Sequence, residues 1–423
     1  MLEKPVWYSI SPMGVAHVDE GRHDGTVRGL LDPLGSILLL PGWRKEPFMK
    51  QFFAPIGRYF RETDKWLYLF CILASSYSVL ILAGIAYAGT TGTRQILVQA
   101  MATLIGLVAT VVMSKIDYRF MANLWKLHLP VTLGLVILTL FIGVSPGDTD
   151  DHAWLSLFGG RLFLQPAELL KISFILTFAL HLEKVKEHIN KPINVLLLCL
   201  HGGIPVLLIH QQGDDGSALV FLGIFLCMFF AAGLSWKYIA AGIGALAIAC
   251  PLVWNFVMST DQKNRFLAVY APDQVDSATL WQQMMGIRAI GSGGVFGKGL
   301  FSGEHTNVPM IYNDFIFAYI GEALGFVGAV AALLLLMAIC ARILLNSRQV
   351  EDQLGKYICV GVFSMIAVQT FINVGMCLNL IPVIGITMPF FSAGGSSVVA
   401  LYLGIGLAMS VYMHNKKNLF SDS

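Results

Sequence analysis

Long apolar runs separated by short polar stretches set the organisation of this 423-residue chain. A helix needs about 20 apolar residues to cross the roughly 30 Å hydrocarbon core of a bilayer. Runs of that kind occupy residues 66–87, 96–114, 128–145, 167–183, 192–211, 217–234, 237–258, 314–341, 356–378 and 392–413. The pattern predicts an all-α, polytopic membrane protein with about ten transmembrane helices. The fifth and sixth runs are parted only by Gln-Gln-Gly-Asp-Asp-Gly, residues 211–216. No heptads and no internal repeat overlie the runs.

Composition sharpens this picture. The chain is 56% hydrophobic and 13% charged, against about 25% charged for a soluble domain, which excludes an ordinary soluble fold. Its seven cysteines lie within or at the ends of apolar runs, without metal-ligand spacing, and read as small apolar residues. Residues 1–65 form a mixed extension lacking a short apolar stretch with a cleavage site. Within it, Phe48–Phe60 resembles an interfacial helix interrupted by Pro55. Lysine and arginine placement puts Arg44, Lys45, Lys50, Arg58, Arg61 and Lys65, then Lys115, Arg119, Lys126, Lys184, Lys186, Lys191, Lys237, Arg342, Arg348, Lys356, Lys416 and Lys417, on one side, with little beyond Arg94 and Arg161 in the short loops of the other. By the positive-inside rule both termini are then cytoplasmic.

That topology gathers the unusual polar segments on the outer face: Asp148–Asp151, the Asp214-Asp215 pair, the long loop 259–313 ending at Asp314, and the Gly/Pro-rich stretch 379–397. Ionisable groups near membrane depth are expensive and mark functional sites. Asp314, at the junction of loop and apolar helix, suits a proton acceptor and equally a helix N-cap. Gln165-Pro166-Ala167-Glu168 reads as a helix start. Lys171 follows Glu168 by three positions and shares its face, a pairing suited to lining a polar cavity. "GSGGVFGKG" (291–299) is not a P-loop, because Ser292 and Gly299 stand where glycine and Ser/Thr are required. Its backbone amides and Lys298 suit a diphosphate, or the segment is a hinge. Ser392 and Ser396 sit in a stretch whose glycines let the backbone bend at membrane depth, tolerable only where it lines a cavity.

"FLQPAELLK" (163–171), "QGDDGSA" (212–218), "AIGSGGVFGKGL" (289–300), "NDFIFAYIGEALGFVG" (313–328) and "GMCLNLIPVIGITMPFFSAGGSS" (375–397) occur in this order. Together they resemble the SEDS family, the RodA, FtsW and SpoVE group, over about residues 64–415. The resemblance implies a peptidoglycan glycosyltransferase that joins lipid II units outside the cytoplasmic membrane beside a class B penicillin-binding protein, without nucleic acid. It implies Asp314 as the catalytic residue, with Gln165, Glu168, Lys171, Asp214, Gln282, Lys298, Glu322, Ser392 and Ser396 binding substrate. A divalent cation such as Mg or Mn between Asp314 and the diphosphate is compatible with it, although no ligand motif is evident. The chain departs from the family pattern at His152-Ala153-Trp154, Trp281-Gln282, Pro309–Asp314 and Gly321-Glu322. In the family register Asp214 holds the acidic position and Asp215 replaces a leucine, so Asp214 is expected to face inward and Asp215 to face water or headgroups. A lipid flippase and a non-catalytic scaffold are the rival classes.

Overall fold

The computed structural model describes residues 57, 59–145, 152–160 and 162–421. The Phe48–Phe60 helix reading and the Asp148–Asp151 cluster fall mostly or wholly outside these residues, as do Arg44, Lys45, Lys50 and Arg58. Helices stand at all ten expected places: α1 (Lys65–Tyr87), α2 (Thr93–Lys115), the short α3 (Tyr118–Asn123), α4 (Trp125–Ile142), α5 (Pro166–Val185), α6 (Pro192–His210), α7 (Asp215–Ala231), α8 (Trp236–Phe256), α11 (Ile316–Arg348), α12 (Gln353–Cys377) and α13 (Gly395–Ser421). Only α3 was not among the expected runs. The stretch 259–313 is not a plain loop, since it folds α9 (Thr260–Tyr270) and α10 (Ser277–Ser292). Short polar helices of this kind escape a search for apolar runs. A two-stranded antiparallel hairpin, β1 (Leu155–Leu157) with β2 (Leu162–Leu164), pairs Leu155 with Leu164 and precedes α5.

Among the described residues, eight helices are long and apolar enough to span a bilayer. The others are α7, which has 17 residues, and α5, whose turns carry Glu168, Lys171, Glu183 and Lys184. Both are largely buried within the protein, so neighbouring helices replace the lipid around them.

Without water between helices, close packing and internal hydrogen bonds hold a membrane bundle together. Along the α2–α13 seam, Gly106 lies so near the Tyr402 ring that a Cβ would come within 2.6 Å, and Thr110 Oγ1 donates to Tyr402 O at 2.8 Å. On α12, Gly361 admits Ile175 of α5 and Met228 of α7. At the opposite end of the bundle from the polar segments, Asp64 is 1% exposed and caps α1 through Trp66 N and Leu67 N. Its second oxygen accepts from Arg342 Nε and Asn346 Nδ2, each at 2.7 Å, which ties α1 to the end of α11. Four donors thereby satisfy a buried carboxylate that would otherwise be costly. In contrast, α8 has no buried residue at all. Four of the seven cysteines (71, 340, 359 and 377) are buried, and all seven are free thiols.

Candidate functional site

Pro166 opens α5 at a position where its missing N–H costs nothing, and Glu168 follows in the first turn. Lys171 Nζ donates to Glu168 Oε1 at 2.8 Å, with the lysine side chain 1% and the glutamate 7% exposed. A third group completes the pair. The Gln369 amide of α12, in the orientation that satisfies both its ends, accepts from Lys171 Nζ at 3.0 Å and donates to Met365 O at 3.1 Å. Glu168 and Gln369 border a cavity of about 10 Å³ with Met388, Ser392, Ser397 and Leu401, roughly the space of one water molecule.

Gln165, the residue before α5, reaches across to α7. Its Nε2 donates to Asp214 Oδ2 at 2.6 Å, while Asp214 Oδ1 accepts from Ser217 N at 2.9 Å and so caps α7. Asp214 is 9% exposed. Asp215 takes a different direction: half-buried rather than turned to open water, its Oδ1 lies 2.5 Å from His210 Nδ1 and its Oδ2 accepts from Gln262 Nε2 at 2.6 Å. Against the expectation that Asp215 faces water or headgroups, it is half-buried, with a partner on α9 that the sequence did not reveal.

Gly216 packs against the irregular stretch between α12 and α13, where a Cβ would meet Ile384 O at 2.5 Å. That stretch cradles the chain entering α11. Ser392 Oγ accepts from Met388 N at 2.7 Å and donates to Asn313 O at 2.5 Å, and Ala393 N donates to Tyr312 O at 2.8 Å. Asn373, about one turn before the end of α12 and fully buried, donates through Nδ2 to Asp314 O and Ile386 O, both at 2.7 Å. Gly385 has φ +70° and its missing Cβ would lie 3.7 Å from Asp314 Oδ2. Phe315, the residue after Asp314, occupies the cap position of α11. The half-buried position of Asp314 beside Gly385 is set by the α12–α13 segment.

The remaining candidates lie elsewhere. Glu322 is 0% exposed and accepts from Lys298 Nζ at 2.6 Å, Thr306 Oγ1 at 2.6 Å, Thr306 N at 2.9 Å and Ser292 Oγ at 3.3 Å. Helix α11 is broken at Gly325 (φ 66°, ψ −163°). The break removes the bonds that would run from Phe326 and Val327 N–H to Glu322 and Ala323 O, one turn back. The glycine-rich loop replaces both. Phe326 N and Val327 N donate to Gly294 O and Val295 O, while Glu322 O and Ala323 O accept from Lys298 N and Gly299 N. Gly297 (φ +80°) permits the approach, since a Cβ there would lie 2.3 Å from Ala323 O. The reading in which Lys298 and its neighbouring amides face a diphosphate is thus corrected: these donors are spent on α11. Gln282 Nε2 donates to Pro309 O at 3.3 Å, and Ser396 Oγ, in the first turn of α13, is buried with no hydrogen-bond partner. Among the described residues no three His, Cys, Asp or Glu side chains converge on a metal position, so a cation beside Asp314 finds no protein ligand set of its own.

Sequence reasoning missed Gln369 and Asn373. Their signal was legible: two amides at i, i+4 inside an otherwise apolar span share one helix face.

A multi-pass, all-α membrane protein with a polar apparatus assembled from helix starts and an irregular segment at membrane depth is the class that this geometry defines. The sequence model of the FtsW/RodA/SpoVE cell cycle proteins matches residues 65–417, and the chain belongs to that family. It is 30% identical over 326 residues to the probable peptidoglycan glycosyltransferase FtsW of Geobacter metallireducens, covering 74% of this chain and 83% of that protein. It is 31% identical over 317 residues to the peptidoglycan glycosyltransferase MrdB of Escherichia coli, covering 74% and 84%. The crystal structure of the rod shape determining protein RodA of Thermus thermophilus superposes with a TM-score of 0.62 at 26% identity, covering 83% of this chain and 96% of that one. A chain solved in a study of polymerization and crosslinking by a peptidoglycan synthase complex gives 0.72 at 26% identity, covering 84% and 98%.

Proposed function

We propose that this chain is a peptidoglycan glycosyltransferase of the bacterial cytoplasmic membrane, polymerising lipid II on the outer face, with Asp314 as the residue that takes the proton. The observation that carries this reading is the placement of Asp314. Its backbone oxygen is held by Asn373, the residue before it by Ser392, and its carboxylate lies beside a glycine that leaves room next to it. Displacement of a polyprenyl diphosphate from a sugar C1 by a sugar hydroxyl needs a carboxylate that accepts the hydroxyl proton. A fixed scaffold around that carboxylate lowers the cost of reaching the reactive geometry.

Lys171 is buried and engaged by Glu168 and Gln369. It acts from beneath the α12–α13 segment as a fixed charge, not as a direct ligand of the diphosphate. Gln165 and Asp214 fix the start of α7 against the same segment. Asp314 would be the residue to hold a divalent cation, which would supply positive charge to the departing diphosphate. The partner is a class B penicillin-binding protein, in keeping with the synthase complex to which the chain is structurally similar.

Purified protein, supplied with lipid II and its partner transpeptidase, is expected to yield a glycan ladder on a gel. Lipid II movement across vesicles without a ladder would instead make the chain a flippase, and neither activity would make it a scaffold.

A further inference from the structure

Asp215 stands beside a residue of the site but takes no part in it, and its partners point outward to α9. Gln262, in the first turn of α9, uses both ends of its amide. Oε1 accepts from Ser259 N at 3.0 Å, closing a capping box, while Nε2 donates to Asp215 Oδ2 at 2.6 Å. His210 Nδ1 holds the other carboxylate oxygen at 2.5 Å. At the far end of the same helix, Tyr270 OH donates to Leu380 O at 3.2 Å. Gln262 and Tyr270 are eight residues apart, about 12 Å of helix. Helix α9 therefore runs from the start of α7 to the start of the α12–α13 segment. The α12–α13 segment that begins at Leu380 continues to Ile384, against Gly216, and to Gly385, beside Asp314 Oδ2.

The helix before it makes these anchors matter. None of the 21 residues of α8 is buried. Its first turn is held at Asn190, which accepts from Ser235 N at 2.7 Å and from Tyr238 OH at 2.9 Å. At its other end the Trp254 ring meets Phe266 of α9 edge-on, with centroids 6.2 Å apart. With none of its residues buried, the outer end of α8 is steadied through Trp254 by α9, and α9 is tied in turn to Asp215 and Leu380.

We infer that Asp215 is a positioning residue: through Gln262 it latches α9 across the mouth of the Asp314 site and fixes the wall past which the lipid-linked substrate enters. The inference rests on the proposed polymerase reading. It assigns to Asp215 an effect on substrate capture and not on turnover, because neither Asp215 nor Gln262 touches the group that takes the proton.

Two readouts test it on the full-length protein with its partner transpeptidase. The first is amide hydrogen exchange. Asp215→Leu and Gln262→Leu are each expected to raise exchange across residues 260–270 while 217–231 stay protected, and Asp215→Asn, which keeps an acceptor for Gln262, to leave 260–270 as in the wild type. The second is glycan synthesis against lipid II concentration at fixed detergent. Each leucine variant is expected to raise KM about fivefold, the effect of one hydrogen bond of ordinary net worth, with kcat within about twofold. The double variant should be no worse than either single one, because both cut the same contact. Unchanged exchange in 260–270, a fall in kcat at constant KM, or additive KM effects would each overturn the latch. A wild-type protein that makes no ladder would instead remove the polymerase reading, and the exchange arm would still decide whether the latch holds α9.

Discussion

Two buried glutamates, each paired with a lysine, invite comparison, and they do different work. Glu322 is surrounded: Lys298, Thr306 and Ser292 all donate to it, from positions 16 to 30 residues away in the chain. The contacts from Ser292 and Lys298 hold the glycine-rich loop on the broken turn of α11, where the backbone groups of Glu322, Ala323, Phe326 and Val327 freed by the break find partners. Glu168 is nearly the reverse. Among the described residues Lys171 is its one side-chain donor, three positions along the same helix, and the carboxylate borders a cavity shared with Ser392 and Gln369. A saturated carboxylate is a fastening. One that faces a cavity below the segment holding Asp314 belongs to a site. The rule against unpaired backbone in hydrocarbon explains the first arrangement, and the cost of intramembrane charge without structural need marks the second.

The comparison breaks most sharply at the splice. Gly297→Ala would place a Cβ 2.3 Å from Ala323 O at φ +80°, a contact that forces backbone to move. Loss of folded protein is expected, read as monodisperse yield in detergent; a well-behaved Gly297→Ala protein would mean the loop is not clamped. Glu322→Gln should follow. It removes the ion pair with a lysine that is one-third exposed, so the cost is expected near the lower end of the buried-pair range, about 3 kcal/mol. It should appear as a lowered thermal midpoint, with residual glycan synthesis per folded molecule close to wild type. A properly folded Glu322→Gln protein without activity would move this glutamate into the site.

At the other pair the signature should invert. Lys171→Met keeps the length of the side chain and leaves Glu168 to be neutralised by protonation. A folded protein with little glycan synthesis is expected. The double variant Glu168→Gln/Lys171→Met should be at least as stable as wild type and equally inactive, and retained synthesis in that double variant would make the pair a fastening like Glu322. The smallest effect is assigned to Gly385→Ala. The added Cβ meets Asp314 Oδ2 at an ordinary 3.7 Å, but positive φ costs about 1 kcal/mol or somewhat more. A several-fold loss of synthesis with unchanged expression is expected, and full activity would detach Gly385 from the site.

Sequence pattern located the ten main helices because each buries or presents an apolar run whose length the bilayer dictates. It could not locate α9 or α10, whose mixed polar sequence lacks that signal. Nor could it see the α11 break. Gly321, Gly325 and Gly328 sit in an apolar run where glycine is common in membrane helices, and only the loop 293–299 docking on it decides that one of them leaves the helix. Lys298 was assigned to substrate because its partner, 24 residues away, is adjacent only after folding. Asp214 and Asp215 were separable in advance by the roughly 100° between neighbours on a helix. The partners of Asp215 were not, because they come from the end of α6 and from α9. Local facts such as the Glu168–Lys171 spacing were legible, while contacts between distant segments were not.

The central claim is that Asp314 takes the proton in glycan polymerisation while the segment around it only holds it in place. Asp314→Asn keeps size and leaves the backbone bond from Asn373 to residue 314 intact. Assayed with lipid II and the partner transpeptidase at matched protein amounts, wild type should give a glycan ladder and Asp314→Asn none, with thermal midpoint and partner binding unchanged. A ladder of substantial intensity from the Asp314→Asn protein would contradict the account.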